Sequence, residues 1–314
     1  MDTLRKVPEL SLLSYVNGSE AEQAQFIDQL FNGIKDYGFI ILVDHTVDQE
    51  VIDGSYQAIH SFFQQPLEQK EKLVCPEGGG QRGYTSFGKE HAKDNAVPDL
   101  KEFWHVGREL GDGHKFLKYC PPNIWPENNT EFKNNLERLF NSLDECAAII
   151  LHALGKALDV SENYFADMIK DGNSILRPIH YPPVENDIPA GAIRAAAHED
   201  INIITLLIGA TDSGLQLLDR DGQWLDVATK PGQIVVDSGD MLSRITNGLI
   251  PATTHRVINP EDSSSRRYSI PFFVHPHPEA TLECIPSCIG DGAKYEPINA
   301  HVWLMKRLHE IGLM

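Results

Sequence analysis

From about residue 173 the chain breaks into short runs of branched and aromatic residues separated by turn signals: "DRDG" at 219–222, "KPG" at 230–232 and "TNG" at 246–248. Strands this closely spaced suggest a sandwich or a barrel. The first half reads differently. Phe26, Leu30 and Ile34, flanked by Ile27 and Phe31, predict a helix from Glu20 to Tyr37 that stops at Gly38. "GFIILVDH" then predicts a short buried strand, Val47 to Phe63 a second helix, and Pro66 to Leu73 another turn or two. After Thr130, one apolar stripe runs through Phe132, Leu136, Leu139, Leu143, Ala147, Ile150, Leu154 and Leu158, which predicts a long scaffold helix. Pro297 precedes a short C-terminal helix carrying Trp303, Leu304 and Leu308.

No repeat, low-complexity tract or linker separates these parts. The expectation is an α+β chain with a β-rich core: a mixed α/β region over residues 1–125, then the scaffold helix, the β core and the C-terminal helix over 126–314, packed as one compact unit. The Gly-rich stretch "CPEGGGQRGYTSFGKEHAKD" lacks the Gly-Lys-Ser/Thr ending of a phosphate loop and reads as a plain loop.

Charge narrows the partners. A formal net charge of −18 argues against nucleic acid or anionic lipid, which need a concentrated basic surface. Arg266-Arg267 is the tightest basic pair near any motif and suits one small anion. The 5 cysteines are scattered and odd in number, which fits reduced thiols. No run approaches the roughly 20 apolar residues of a membrane span, and the first residues lack a secretory h-region. A cytoplasmic enzyme or binding protein acting on a small molecule is expected; oligomeric state has no signature here.

"IRAAAHEDINIITLLIG" carries the chemistry. Asn202 to Ile208 reads as a strand, and alternation would turn His198 and Asp200 to one side and Glu199 to the other. His-x-Asp alone is weak, since a histidine satisfied by a neighbouring carboxylate explains it as well. "TNGLIPATTHRVIN" adds His255 in a second β segment, and "RRYSIPFFVH" a third, with Arg267 and Ser269 on one face. Two histidines and a carboxylate on one face of an octahedron are what iron(II) takes in oxygenases, leaving positions for co-substrate and oxygen. A permanent cation beside a metal makes sense only with an anion between them, so Arg267 and Ser269 suit a carboxylate. "HPHP" at 275–278 reads as a solvated turn.

These motifs, with "GFIILVDHTV", "FFQQPLEQKEKL", "GYTSFG", "LRPIHYPP" and "GLQLLDRDGQWLDV", resemble the isopenicillin N synthase-like family of Fe(II)- and 2-oxoglutarate-dependent oxygenases over almost the whole chain. The resemblance implies a double-stranded β-helix, or jelly roll. It implies iron held by His198, Asp200 and His255, and 2-oxoglutarate contacted by Arg267, Ser269 and Tyr181. The reaction implied is oxidation of a C–H bond by O2, with release of succinate and CO2. Two positions depart from the pattern: Ile179 stands where plant members commonly have Asn, and Glu199 where Thr or Ser is frequent. Arg82, Tyr84, Phe87, Trp104, His105, Phe273 and Trp303 are the substrate-pocket candidates, of which two or three are expected to line it. Three other readings stay open: an iron oxidase that uses Arg267 for its substrate's own carboxylate, a zinc hydrolase, and a jelly-roll binding protein without catalysis.

Overall fold

The computed structural model describes residues 6–75, 81–91, 97–184 and 188–310. On the N-terminal side lie β1 (Glu9–Ser11), α1 (Leu12–Val16), α2 (Glu20–Tyr37), β2 (Phe39–Asp44), α3 (Gln49–Phe63), α4 (Leu67–Glu71), β3 (Gly83–Thr85) and β4 (Glu102–Gly107). The long α5 (Thr130–Ala157) and short α6 (Tyr164–Ile169) follow. Next come β5 (Ile175–Leu176), β6 (Ile179–Tyr181), β7 (Ala195–His198), β8 (Ile204–Ile208), β9 (Leu215–Leu218), β10 (Trp224–Asp226) and β11 (Ile234–Ser238). The chain ends with α7 (Asp240–Ile245), β12 (His255–Val257), β13 (Arg267–Val274), β14 (Thr281–Leu282), β15 (Ile298–Asn299) and α8 (Ala300–Glu310).

Local chemistry sets the helix ends. Ser19 opens α2 with a capping box: its hydroxyl accepts from the Glu22 N–H, while the Glu22 carboxylate takes the Ser19 N–H at 2.8 Å. Gly38 closes α2 in the left-handed conformation, φ 70°, with its N–H on the Ile34 carbonyl. Asn129 caps α5 by accepting from the Phe132 N–H at 3.0 Å. The whole predicted stripe of α5 is buried.

Two facing sheets make the jelly roll. The larger runs β1-β2-β11-β8-β13-β5-β4-β3, with β6 bridging β13 and β4; the smaller runs β10-β9-β12-β7. Strands from both sides of residue 125 therefore share one sheet. Alternation divides each central strand. Ile204, Leu206 and Ile208 of β8, Ile234 and Val236 of β11, and Ile270 and Phe272 of β13 pack with α3 and α5 in the main core. Val235 joins Leu215, Leu217 and Val257 in a second core between the sheets. The residues of β13 between its core positions, Arg267, Ser269, Pro271 and Phe273, face the space between the sheets with Thr205, Leu207 and Asp237.

Two details depart from the sequence expectations. The strand expected from Asn202 starts at Ile204, because residues 199–203 form the turn that follows β7. A short helix, α7, interrupts the region expected to be β-rich just before "TNG": Met241, Leu242 and Ile245 are buried with helical spacing, and Asn247 follows it at φ 55°. The Gly-rich loop lies partly outside the described residues, and its described part contains β3.

Gly38 joins α2 to the site, since a Cβ there would lie 1.9 Å from Thr253 Oγ1, in a backbone conformation that L residues rarely adopt. Gly38→Ala is expected to cost about 1–3 kcal/mol of unfolding free energy. Denaturant unfolding measures it, and an unshifted midpoint would contradict the packing described.

Candidate active site

Strand pairing assembles the centre of the site. In the β7–β12 ladder, His255 sits directly opposite His198, and the two ring centroids are 4.4 Å apart. Asp200 comes from the turn after β7. Its Oδ1 is 3.7 Å from His198 Nε2 and 3.8 Å from His255 Nε2, too far for a hydrogen bond to either. The three ligand-type atoms lie within 4.8 Å of one another. Convergence without mutual hydrogen bonding is how side chains stand around a cation, and it differs from a His-Asp pair.

The surroundings aim each group. His198 donates Nδ1–H to the Ala196 carbonyl at 2.7 Å, and His255 does the same to Thr253 at 3.2 Å, which leaves both Nε2 lone pairs directed inward. Asp200 receives the Thr205 hydroxyl, which in turn accepts from Asn202 at 2.7 Å. Burial and the neighbouring His198 push His255 down to about 4, so its imidazole is neutral. Burial opposes ionisation of Asp200, but His255, His198 and the Thr205 hydroxyl outweigh it and hold the carboxyl below its ordinary range. Asp237, whose carboxylate lies 3.5 Å from His255 Nδ1, is pushed well above its ordinary value by burial and by Asp200.

An inner chamber of about 60 Å³ opens between the sheets beside these residues. Arg267, Ser269 and Tyr181 line it, because β13 pairs Arg267 opposite Tyr181 on β6. The Arg267 guanidinium lies 4.9 Å from the centre of the Tyr181 ring and donates to Ser269 Oγ and the Asp212 carbonyl, each at 3.2 Å. It is only 1% exposed, and among the described residues no carboxylate pairs with it. A buried guanidinium without a counter-ion is costly unless an anion joins it. The inner chamber is thus suited to a carboxylate reaching from Arg267 toward the His-Asp-His cluster.

An outer chamber of about 180 Å³ meets the inner one at His198, Asp200, Phe273, Lys101 and Arg177. Its polar wall is a closed ion network. Lys101 Nζ is 2.9 Å from Glu90 and 2.8 Å from Asp99, and Arg177 Nη1 is 3.2 Å from Glu90. Burial opposes both Glu90 and Lys101 in their charged forms, but their partners hold Glu90 well below, and Lys101 above, the ordinary values.

Of the seven substrate candidates, His105 and Phe273 line the outer chamber. Arg82 does not: it is buried, and donates to the Pro121 carbonyl at 3.0 Å and the Gln81 carbonyl at 2.7 Å. Tyr84 hydrogen-bonds Glu102, and Trp104 packs edge-on against Phe62 with centroids 5.0 Å apart. These two pair across β3–β4 and join the helix-side core. Phe87 is exposed and lines neither chamber. Trp303 lies under Arg244 and donates to Asp240 at 3.2 Å, so α8 reaches the chamber through Leu304 and Leu308 instead. Ile179 faces the inner chamber, and the exposed Glu199 lines the outer one. The "HPHP" expectation is corrected at its first histidine. His275 follows β13 directly and is buried against the outer chamber, its Nδ1 without a hydrogen-bond partner among the described residues.

Sequence reasoning missed Glu90, Asp99, Lys101, Arg177 and His275. For Lys101 and Arg177 the available signal was charge inside apolar strand-like runs, "LKEFWHV" and "SILRPIHY", where an unpaired ion would not be tolerated.

Comparison with known proteins is consistent along the chain. Residues 7–128 match the family described as non-haem dioxygenase in morphine synthesis N-terminal, and residues 172–276 match the 2OG-Fe(II) oxygenase superfamily. A 2-oxoglutarate-Fe(II) type oxidoreductase of Emericella nidulans is 32% identical over 302 residues, covering 93% of this chain and 86% of that one. The crystal structure of a 2OG-Fe(II) oxygenase family protein from Caulobacter crescentus has 39% identity and a TM-score of 0.87, covering 99% of this chain and 100% of that one. A full-length Neurospora crassa protein, solved in complex with alpha-KG and thymine, has 29% identity and a TM-score of 0.87, with 98% of this chain and 97% of that one covered.

His275 gives the site a pH signature. Burial lowers it from 6.5 to about 4 in the folded protein. The unfolded chain therefore binds more protons between those values, and the stability that this neutral histidine contributes is complete above pH 6.5 and lost as pH falls toward 4. His275→Gln should lose less unfolding free energy than the parent over that range. Parallel losses in denaturant melts across acid pH would contradict the buried, neutral assignment.

Proposed function

Because the chain belongs to the 2OG-Fe(II) oxygenase superfamily, we propose that His198, Asp200 and His255 hold its iron, and that Arg267 with Ser269 holds the far carboxylate of 2-oxoglutarate. The enzyme is a non-haem Fe(II)- and 2-oxoglutarate-dependent oxygenase. The observation that carries the residue assignment is the buried Arg267, without a counter-ion among the described residues, sharing one chamber with three convergent ligand-type side chains. Bound iron, 2-oxoglutarate and O2 supply the oxidation of a substrate C–H bond, with release of succinate and CO2.

The protein's own part is positional. The carbonyls of Ala196 and Thr253 fix the imidazole tautomers, and the Thr205 hydroxyl fixes Asp200. Tyr181 stacks on the clamp and takes one wall of the inner chamber. A small organic substrate occupies the outer chamber, where His105 and Phe273 meet it. Phe273, Leu304 and Leu308 give that chamber apolar walls that exclude water from the reacting carbon. Residues 1–125 supply walls and strands, and 126–314 the metal and carboxylate sites, as one unit. Among the described residues no helix is long and apolar enough to cross a membrane.

Two variants separate the roles. Thr205→Val is expected to weaken Fe(II) binding by about 10–100-fold through a misoriented Asp200, read by anaerobic calorimetry. Arg267→Ala should raise the KM for 2-oxoglutarate by about 100-fold while Fe(II) still binds one per chain. An unchanged KM for 2-oxoglutarate in that variant would remove Arg267 as the clamp.

A further inference from the structure

The outer chamber holds charges that leave no vacancy for another. Lys101 is shared by Glu90 and Asp99, Arg177 takes Glu90 as well, and the second oxygen of Asp99 accepts the Ala196 N–H at 2.9 Å. Two cations thus face two carboxylates. His105 accepts the Arg177 Nε–H on its own Nε2. At the rim, Lys89 and Glu199 are exposed and opposite in sign. The inner chamber balances too once occupied: Fe(II) and Arg267 stand against Asp200 and the dianion of 2-oxoglutarate.

Arg177 is also sterically restricted. The ring centres of Phe103 and Phe273 lie 4.5 Å and 5.0 Å from its guanidinium carbon, and its Nε and Nη1 are held by His105 and Glu90, so a ligand is left part of its N–H edge. His275, buried and neutral, lines the same chamber, and its Nδ1 has no partner among the described residues and almost no exposed surface. Phe273, Leu304 and Leu308 supply the apolar remainder. At about 180 Å³ the space is small, below the roughly 300–1,000 Å³ of drug-sized sites.

We propose that the outer chamber selects an uncharged substrate: a ring-sized apolar body with an amide-like polar edge, whose carbonyl oxygen takes the N–H edge of Arg177. The inference rests on this chamber being where substrate meets the iron. A carboxylate or ammonium substrate would enter as an unpaired buried ion, the costliest group to place there. An amide, lactam or imide satisfies both donors and acceptors without adding charge.

The test uses three probes of matched shape, benzamide, benzoate and benzylamine, titrated calorimetrically without oxygen into enzyme saturated with Fe(II) and 2-oxoglutarate. Loading is measured first, so a failure to bind iron or 2-oxoglutarate marks the functional reading as wrong, separately from this one. Benzamide is expected to bind about tenfold or more tighter than either charged probe. Glu90→Gln removes one negative charge with little change of shape, and should turn the preference toward benzoate. Benzoate or benzylamine binding the parent enzyme as tightly as benzamide would overturn the proposal, as would a folded Glu90→Gln variant with an unaltered ranking or the absence of saturable benzamide binding. The parent ranking decides the matter by itself if the variant does not fold.

Discussion

The register of β7 against β12 is the constraint on which the rest of the site depends. It places His255 opposite His198 and leaves their rings 4.4 Å apart. A shift of one residue would turn one imidazole to the other face of the sheet. Everything near the pair defends that register. β9 flanks β12 on its other side, the Asp240 N–H binds the Asp200 carbonyl at 2.9 Å, and Thr253 ties its hydroxyl to the Tyr37 carbonyl at 2.9 Å where α2 ends. The larger sheet, held from behind by α3 and α5, gives the smaller one a fixed surface to close against.

The two chambers treat charge in opposite ways, and chemistry explains the contrast. In the inner one, Arg267 is buried with only hydroxyl and carbonyl partners among the described residues, an arrangement that gains from an incoming anion. In the outer one, every buried cation already has a carboxylate within 3.2 Å. The first is poised to bind an ion and the second to refuse one. A site that must hold a dianionic co-substrate beside an exchangeable substrate needs such a division, or the two ligands would compete for the same place.

Much of this was legible in the sequence, because periodicity and hydrogen-bond chemistry act locally. The span of α2, its stop at Gly38 and the buried stripe of α5 follow from side-chain spacing alone. The metal-type cluster was legible for a different reason: His198 and Asp200 gained weight from His255 in a second β segment and from Arg267 and Ser269 in a third. Depth was not legible. Tyr84 and Trp104 read as pocket aromatics, yet the β3–β4 pairing turns them into the helix-side core, a tertiary fact with no local signature. The outer ion network escaped notice because Arg177 lies far in sequence from Glu90, Asp99 and Lys101, and the four meet only once β4 joins β5 and β6. His275 was misread since the flanking prolines suggest a turn, whereas the site packs α8 over it.

The most direct test of the central claim is an anaerobic titration of the metal-free protein, first with Fe(II) and then with 2-oxoglutarate, followed by visible absorption. A keto acid chelating iron beside Arg267 predicts a saturable charge-transfer band at one 2-oxoglutarate per iron. Iron binding without any band would contradict the assignment of the inner chamber to 2-oxoglutarate, and failure to bind iron would contradict the cluster of His198, Asp200 and His255 as its site.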